Sequence, residues 1–150
     1  MQTAKQLSIR LSNKPGHLSG VLNAFSKEKV AIRALVVMDS GERGTVRMVP
    51  EDAAAAKATL AGLNVRCEEA DVLLVDVPNR TGAFQNICNN LATEHLNVDY
   101  AYGSHESTKG AALAVIKVND LAKAQRVLAD AVSGNGKSRR RPVRRPTHAR

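Results

Sequence analysis

Hydrophobic and polar side chains alternate along residues 5–11, where Leu7, Ile9 and Leu11 lie on one side of the chain. This period of two predicts a half-buried strand. In the segment that follows, apolar side chains recur every three or four positions, which predicts a helix over residues 16–27. The rest of the first half predicts a strand over 30–38, a strand over 45–49, a helix that opens at 50–52 and ends near 61, and a strand over 63–67.

The second half of the chain predicts the same kinds of element in the same order. It contains predicted strands over 72–77, 96–102 and 111–118, a helix over 82–93, a polar loop over 103–110, and a last helix capped by Asn119. No apolar segment follows that helix. The fourth strand of the first half therefore has no visible counterpart in the second.

One turn sequence occurs in both halves at an offset of 66 positions. Asn13-Lys14-Pro15-Gly16-His17-Leu18 precedes the first helix, and Asn79-Arg80-Thr81-Gly82-Ala83-Phe84 precedes its counterpart. The first N–H groups of a helix have no internal partner and carry partial positive charge. A glycine also lets a ligand approach the backbone without a Cβ in the way. Each turn is a candidate anion site, although a single such turn is equally typical of an ordinary helix start.

The order β-α-β-β-α-β is typical of a split βαβ sandwich, in which four antiparallel strands carry both helices on one face. The sequence predicts an α+β fold of two ferredoxin-like βαββαβ units side by side, the second without a clear last strand. The last strand normally flanks the first. Its loss would expose the apolar edge of residues 72–77, and such an edge favours pairing with another chain. We therefore expect a homo-oligomer, most simply a dimer.

Positive charge is concentrated at the C-terminus. Of the formal net charge of +8, residues 137–150 contribute +7, so the preceding residues carry only +1. The composition predicts domains at 1–69 and 70–133 and a disordered basic tail at 134–150. Clustered arginines contact nucleic acid through its phosphates. Weak nucleic-acid contact through 137–150 is one hypothesis for the tail, and a solvated extension is the other.

The remaining composition points away from catalysis and from membranes. Cys67 and Cys88 lack the spacing of a metal or redox site, which is typical of proteins in a reducing compartment. No apolar segment is long enough to span a membrane, and the N-terminus lacks the apolar region of a signal peptide. The histidines share no ligand spacing with cysteines or acids. We expect a cytoplasmic protein with no catalytic residues, no metal, no cofactor and no membrane contact.

The turn pattern Asn-x-Pro-Gly-x-Leu, followed by an apolar helix and the segment Val-Ala-Ile-Arg-Ala-Leu, resembles the ACT domain. The ACT domain is a small regulatory module that binds amino acids. Two units in a short chain resemble the stand-alone tandem ACT proteins of bacteria. The resemblance covers residues 5 to about 131 and departs from the pattern at Thr81, where the motif prefers proline.

The resemblance implies that the two units pair side by side through their second strands and bind ligand at that seam, against the two turns. The residues implied in the first turn are Asn13, Lys14, Pro15, Gly16, His17 and Leu18, and those in the second are Asn79, Arg80, Gly82, Ala83 and Phe84. The seam strands would contribute Ile32, Ala34, Leu35, Asn97, Val98 and Tyr100.

These observations favour a regulatory protein that binds a free amino acid between its two repeats. Two alternatives remain open: a non-catalytic regulatory subunit of an amino-acid biosynthetic enzyme, and a nucleic-acid-associated regulator that acts through the arginine-rich tail. An enzyme is the third class, and no residue pattern in the chain supports it.

Overall fold

The computed structural model describes residues 1–104 and 110–132 of the chain. These residues form six strands and four helices. In chain order they are β1 (Gln2–Ser12), α1 (His17–Lys27), β2 (Ile32–Ser40), β3 (Arg43–Pro50), α2 (Ala53–Gly62), β4 (Cys67–Pro78), α3 (Ala83–Thr93), β5 (Val98–Ser104), β6 (Ala111–Val118) and α4 (Leu121–Val132).

All six strands belong to one antiparallel sheet in the order β2-β3-β1-β4-β6-β5. The first half, which we call unit 1, has the split βαβ order with β4 beside β1. Ile9 on β1 lies opposite Val46 on β3 and opposite Cys67 on β4. The second half, unit 2, is built in the same way on β4, β6 and β5.

Strand β4 serves both units. Its residues from Cys67 to Leu74 pair with β1, and its residues from Leu73 to Pro78 pair with β6. The predicted strand over 72–77 lies within β4, whereas the separate strand predicted over 63–67 is wrong. One long strand replaces the two short ones that the apolar pattern indicated.

The segment before β4 ends helix α2 instead of forming a strand. The Leu63 N–H donates to the Leu60 carbonyl at 3.1 Å, and Asn64 adopts a left-handed φ of 59°. The Val65 N–H also donates to the Leu60 carbonyl, at 3.0 Å. Such bonds close the C-terminal end of a helix. Leu63 and Val65 have the spacing of a strand, but only Val65 packs against the unit 1 core, and Leu63 is 43% exposed.

Strand β1 supplies the neighbour that unit 2 lacks. Gln2, Thr3 and Ala4 lie opposite Leu74, Leu73 and Val72. The expectation that this edge is exposed is therefore wrong for 72–74, because the chain covers it itself. The expected homo-oligomer stays a prediction, and it needs a different surface.

The helices cover one face of the sheet with two separate cores. In unit 1, Leu7 and Ile9 of β1 pack against Val21 and Phe25 of α1 and Leu60 of α2. In unit 2, the corresponding core joins β4 and β6 to α3 and α4, and its buried members are Leu73, Val75, Leu91, Leu96, Ala114, Ile116, Val118, Ala124 and Leu128. Aliphatic residues make up most of both cores, with Phe25 as the aromatic member of the unit 1 core.

The opposite face, which we call the concave face, curls around a third core. Its buried members come from four strands and both units: Ala34, Val49, Val72, Leu74, Leu113 and Val115. The curling brings together the outermost strands, β2 and β5. Ser104 Oγ of β5 donates a 3.0 Å hydrogen bond to the Arg33 carbonyl of β2.

This architecture confirms the predicted α+β fold of two βαββαβ units with helices on one face, and within residues 110–132 unit 2 shows no strand after α4. The predicted boundary between the two domains, at residues 69 and 70, falls inside β4. The division of the chain into two domains stays a prediction. The tail at 134–150, with the nucleic-acid hypothesis that depends on it, lies outside the described residues, as does most of the loop predicted at 103–110. Within the described ranges, no helix is both long and apolar enough to cross a membrane.

Candidate functional site

The two turns that precede α1 and α3 have the same backbone geometry. Gly16 has φ 88° and ψ −14°, and Gly82 has φ 84° and ψ −2°. The Lys14 N–H donates to the Ser12 carbonyl at 2.8 Å, and the Arg80 N–H donates to the Pro78 carbonyl at the same distance. We name these segments turn 1 (residues 13–18) and turn 2 (residues 79–84).

The left-handed φ explains why each turn contains glycine. A side chain at such a φ is disfavoured by about 1–2 kcal/mol, whatever space surrounds it. A Cβ at Gly16 would meet no atom within 4 Å, so the conformation and not crowding sets the requirement. Glycine is thus a structural part of these helix starts, in addition to any role in ligand approach.

The glycine caps leave the first amides of both helices available. Neither Gly16 nor Gly82 supplies a side-chain cap, and the first turns contain no acidic residue. Within the described residues, the N–H groups of Ser19 and Gln85 have no backbone acceptor. Uncapped N–H groups at a helix start attract an anion such as a carboxylate. This is the chemistry that the sequence predicted for the turns.

The predicted turn residues are mostly open to solvent. Asn13, Lys14, Pro15, Gly16 and His17 are exposed, whereas Leu18 packs against the unit 1 core. In turn 2, Asn79, Arg80 and Phe84 are exposed, Gly82 is half-buried and Ala83 is buried.

The two turns lie at opposite ends of the sheet, because β1 and β4 are antiparallel and each turn follows one of these strands. The Asn13 N–H donates to the Glu42 carbonyl in the β2–β3 hairpin, at 3.0 Å. The Asn79 N–H donates to the Gly110 carbonyl before β6, at 3.2 Å.

A cleft of about 450 Å³ opens where β2 meets β5. Its lining comes from the start of β2 and the end of β5, and consists of Ile32, Arg33, Ala34, Leu35, Gly103 and Ser104. Three of these, Ile32, Ala34 and Leu35, are seam residues that the family resemblance implied. We call this the seam cleft.

Turn 2 lies at the same end of the sheet as the seam cleft. Pro78, which precedes turn 2, is opposite Ala111, and Ser104 is opposite Leu113 on the same strand β6. Turn 1 lies at the other end. The structure thus places turn 2 and the first residues of β2 at one end, and it places turn 1 away from this cleft.

The other predicted seam residues do not line the seam cleft. The exposed Asn97 donates its N–H to Asn119 Oδ1 at 3.0 Å, and its side-chain amide donates to Asp99 at 2.8 Å. Val98 packs against the unit 2 core. The Tyr100 ring lies on the concave face, 3.7 Å from the guanidinium carbon of Arg47.

A buried polar cluster on the concave face was missed by the sequence reasoning. Gln6 is fully buried, donates to the Tyr100 hydroxyl and accepts a 2.8 Å hydrogen bond from the Tyr102 hydroxyl. Burial and, secondarily, the neighbouring Tyr100 raise the pKa of Tyr102 above its ordinary value. Gln6 thereby joins unit 1 to the second strand of unit 2.

Among the described residues, no three histidine, cysteine or acidic side chains are placed to hold a metal ion. Cys67 and Cys88 are both free thiols and half-buried.

Sequence comparison agrees with this geometry. The family model described as an ACT domain pair matches residues 2–132. The chain belongs to the ACT domain family. As an ACT domain pair it is a regulatory module, and the matched range covers both units, including the shared strand β4. No curated protein sequence matches it.

Solved structures share the fold of this ACT domain pair. Protein BT0572 from Bacteroides thetaiotaomicron is 28% identical with a TM-score of 0.80, over 87% of this chain and 89% of that one. The ligand-free regulatory subunit of aspartate kinase from Thermus thermophilus is 13% identical with a TM-score of 0.60, over 87% and 97% of the two chains. At this low identity, the second likeness establishes the fold alone.

Proposed function

We propose that this ACT domain pair is a non-catalytic cytoplasmic regulator that binds a free amino acid in the seam cleft, with turn 2 at the same end of the sheet. The observation that carries the proposal is the position of the seam cleft between the second strands of the two units. This is where the sequence resemblance placed ligand.

The chemistry of the two parts suits a zwitterion. Its carboxylate would accept hydrogen bonds from the uncapped amides at the start of α3, including that of Gln85, and the positive end of a helix favours such a charge by about 0.3–1 kcal/mol. Its ammonium group would donate to strand carbonyls at the seam. Ile32, Ala34 and Leu35 also pack in the cores of the sheet, and the aliphatic surface that they leave at the cleft would contact an apolar side chain. Small-molecule sites combine such apolar walls with a few directed polar groups.

The test uses a side chain that fills the seam cleft. Gly103 has a negative φ, and an added Cβ would come no closer than 3.9 Å to the Leu113 carbonyl oxygen. Gly103→Leu is therefore expected to fold and to weaken amino-acid binding at least about tenfold. Ala101→Leu is the matched control, because Ala101 is exposed two residues earlier on the same strand and does not line the cleft.

The ligand is identified first, by a thermal-shift screen of the full chain against the twenty amino acids. A ligand that binds only the folded state adds about 2.7 kcal/mol of stability at a hundredfold excess over Kd. Calorimetry on the two leucine variants then locates the site. A screen in which no amino acid raises the melting temperature, or equal affinity in Gly103→Leu and Ala101→Leu, would reject the proposal.

A second candidate function is that of a regulatory subunit for an amino-acid biosynthetic enzyme. It is favoured by the fold shared with the regulatory subunit of aspartate kinase from Thermus thermophilus. Affinity capture of the tagged full chain from its own cells tests it. Recovery of a biosynthetic enzyme in stoichiometric amount, altered by the amino acid found in the screen, would support the subunit role. Recovery of this chain alone would favour a stand-alone regulator.

The expected homo-oligomer is also a proposal. The part of β2 around Val37 is the surface that we expect it to use, because Val37 is 51% exposed and follows the residues of β2 that meet β5. Light scattering behind size-exclusion chromatography measures the mass of the wild-type chain and of Val37→Lys. A dimer that becomes a monomer on substitution fits this surface. A dimer that persists would place the contact elsewhere.

A further inference from the structure

A second cleft, of about 560 Å³, lies at the turn 1 end of the sheet, where β4 diverges from β1. The cleft is lined by four arginines, Arg10, Arg43, Arg47 and Arg66, and by the carboxylate of Glu68. These groups leave a formal charge of +3 in one concavity. We call it the arginine cleft.

Its position follows from the strand register. Arg47 lies opposite Ser8, Ser8 lies opposite Glu68, and Arg10 lies opposite Thr45. These side chains occupy the positions of their strands that alternate with the buried Ile9 and Val46, so they share the concave face. The arginine cleft is therefore separate from the seam cleft, which lies at the other end of the sheet.

The fold does not require cations at these positions. The pairs of unit 2 that correspond in register to Ser8–Arg47 and Arg10–Thr45 are Leu74–Val115 and Asp76–Leu113. Unit 2 has the same strand arrangement without a positive side chain at either pair. The strand arrangement by itself therefore does not call for arginine at positions 10 and 47.

Arg47 provides a second, independent observation. Its Nε atom is buried without a hydrogen-bond partner in the described part of the chain. Its Nη1 faces the Met38 sulfur at 3.8 Å, and its plane lies over the Tyr100 ring at 3.7 Å. A thioether and an aromatic face hold the guanidinium in place but offer no anionic oxygen, which is the acceptor that a guanidinium binds best.

Two of the neighbouring arginines, Arg10 and Arg66, lack an acidic partner in the described part of the chain. The acids Glu69 and Asp71 of β4 are instead paired with Lys5 and Lys57. Both arginines are exposed at the mouth of the cleft. They are free to turn toward a ligand that Arg47 holds at the floor.

We infer that the arginine cleft binds a small phosphate-bearing molecule, with Arg47 at its floor and Arg10 and Arg66 at its mouth. A volume of about 560 Å³ lies within the range of small-molecule sites. A phosphate or diphosphate group, unlike a single carboxylate, offers enough anionic oxygens for several guanidinium groups at once. This site is independent of the amino-acid site proposed above.

The test is calorimetric titration of the full chain with inorganic pyrophosphate at constant ionic strength. The variants are Arg10→Ala and Arg66→Ala, and Arg126→Ala is the control, because Arg126 is exposed on α4 and its loss changes the net charge by the same amount. We expect saturable binding by wild type and by the control, with Kd about tenfold higher in each cleft variant. All three variants keep the arginines of residues 137–150, so binding to the tail is common to them.

Two results would overturn the inference. One is the absence of saturable pyrophosphate binding by the wild-type chain. The other is equal affinity in the cleft variants and in Arg126→Ala, which would assign the binding to the tail. A parallel titration with ADP distinguishes the source of the phosphate. Equal affinity assigns the cleft to phosphate groups alone, and tighter ADP binding extends the site to a nucleoside; either result supports a phosphate site.

Discussion

The Tyr102 hydroxyl donates a 2.8 Å hydrogen bond to Gln6 Oε1, although the two residues are 96 positions apart. Gln6 is the buried polar residue on the concave face, and its amide also donates to the Tyr100 hydroxyl. The contact joins the first strand of unit 1 to the second strand of unit 2. The Arg47–Tyr100 stacking makes a second contact between the two units on the same face.

We predict that Gln6→Leu lowers the free energy of unfolding by about 3 kcal/mol, because it leaves two partly buried hydroxyl groups without their partner. Gln85→Leu is the control, since Gln85 is exposed on α3, and it should change stability by less than about 0.5 kcal/mol. Urea denaturation measures both. Equal midpoints for the two variants would show that the buried amide does not hold the units together.

The second prediction separates the two glycines of the turn 1 region. Gly16→Ala should destabilise by about 1–2 kcal/mol, because its φ of 88° is unfavourable for a side chain. Gly20→Ala should stabilise by about 0.5–1 kcal/mol, because Gly20 is within α1 and an added Cβ meets no atom within 4 Å. Opposite shifts of the urea midpoint are expected. Shifts of the same sign would contradict the assigned backbone of turn 1.

This result also limits the use of Gly16 as a binding probe. The sequence suggests that Gly16→Val would block ligand with little effect on the fold, but a β-branched side chain at a left-handed φ is strained. A loss of binding in that variant would have two explanations. Substitutions at exposed positions of the first helical turn avoid the problem.

The third prediction uses such positions. Ser19 and Gln85 are exposed, occupy equivalent places 66 residues apart, and lie in the first turns of α1 and α3. An aspartate there interacts favourably with the helix amides but repels the carboxylate of a ligand. We expect Gln85→Asp to weaken amino-acid binding and Ser19→Asp to leave it unchanged, because of the two turns only turn 2 lies at the same end of the sheet as the seam cleft. Calorimetry with both variants compares the turns, and the reverse order would move the site to turn 1.

The fourth prediction concerns alkaline pH. Burial raises the pKa of the Tyr102 hydroxyl above its ordinary value of 10.0, so the folded protein retains that proton when the unfolded chain has lost it. The contribution is fully present below pH 10 and decreases as the pH rises above it. Wild type should therefore lose more stability between pH 9 and pH 11 than Tyr102→Phe loses. Lys5 and Lys57 titrate in both proteins, so the difference between the two curves isolates Tyr102. Parallel curves would contradict a neutral buried hydroxyl.

The parts of the fold that depend on local sequence were predictable. The positions of the glycines predict both turns, and the apolar spacing predicts the helices that follow them. The two sets are 66 residues apart. The repeat extends even to the helix ends, where Lys29 and His95 share a left-handed φ of 55° and 57°.

The shared strand could not be predicted in the same way, because it depends on pairing between distant segments. Leu63 and Val65 have the spacing of a strand, and only the hydrogen bonds to Leu60 show that they end a helix. The candidate site was predictable to a similar degree. Turn 2 repeats a local motif, and three residues of β2 were implied by the family resemblance. Gln6 gave no signal, since an exposed polar position and a buried one look alike in an alternating strand.

The sharing of β4 has a consequence for how the chain can be divided. A fragment that ends before Cys67 would leave the β4 side of β1 bare, and a fragment that begins after Pro78 would leave β6 without the strand on which unit 2 is built. A single cut within β4 would remove strand pairing from both units at once. We therefore expect the two units to unfold in one cooperative step, although the sequence consists of two similar copies.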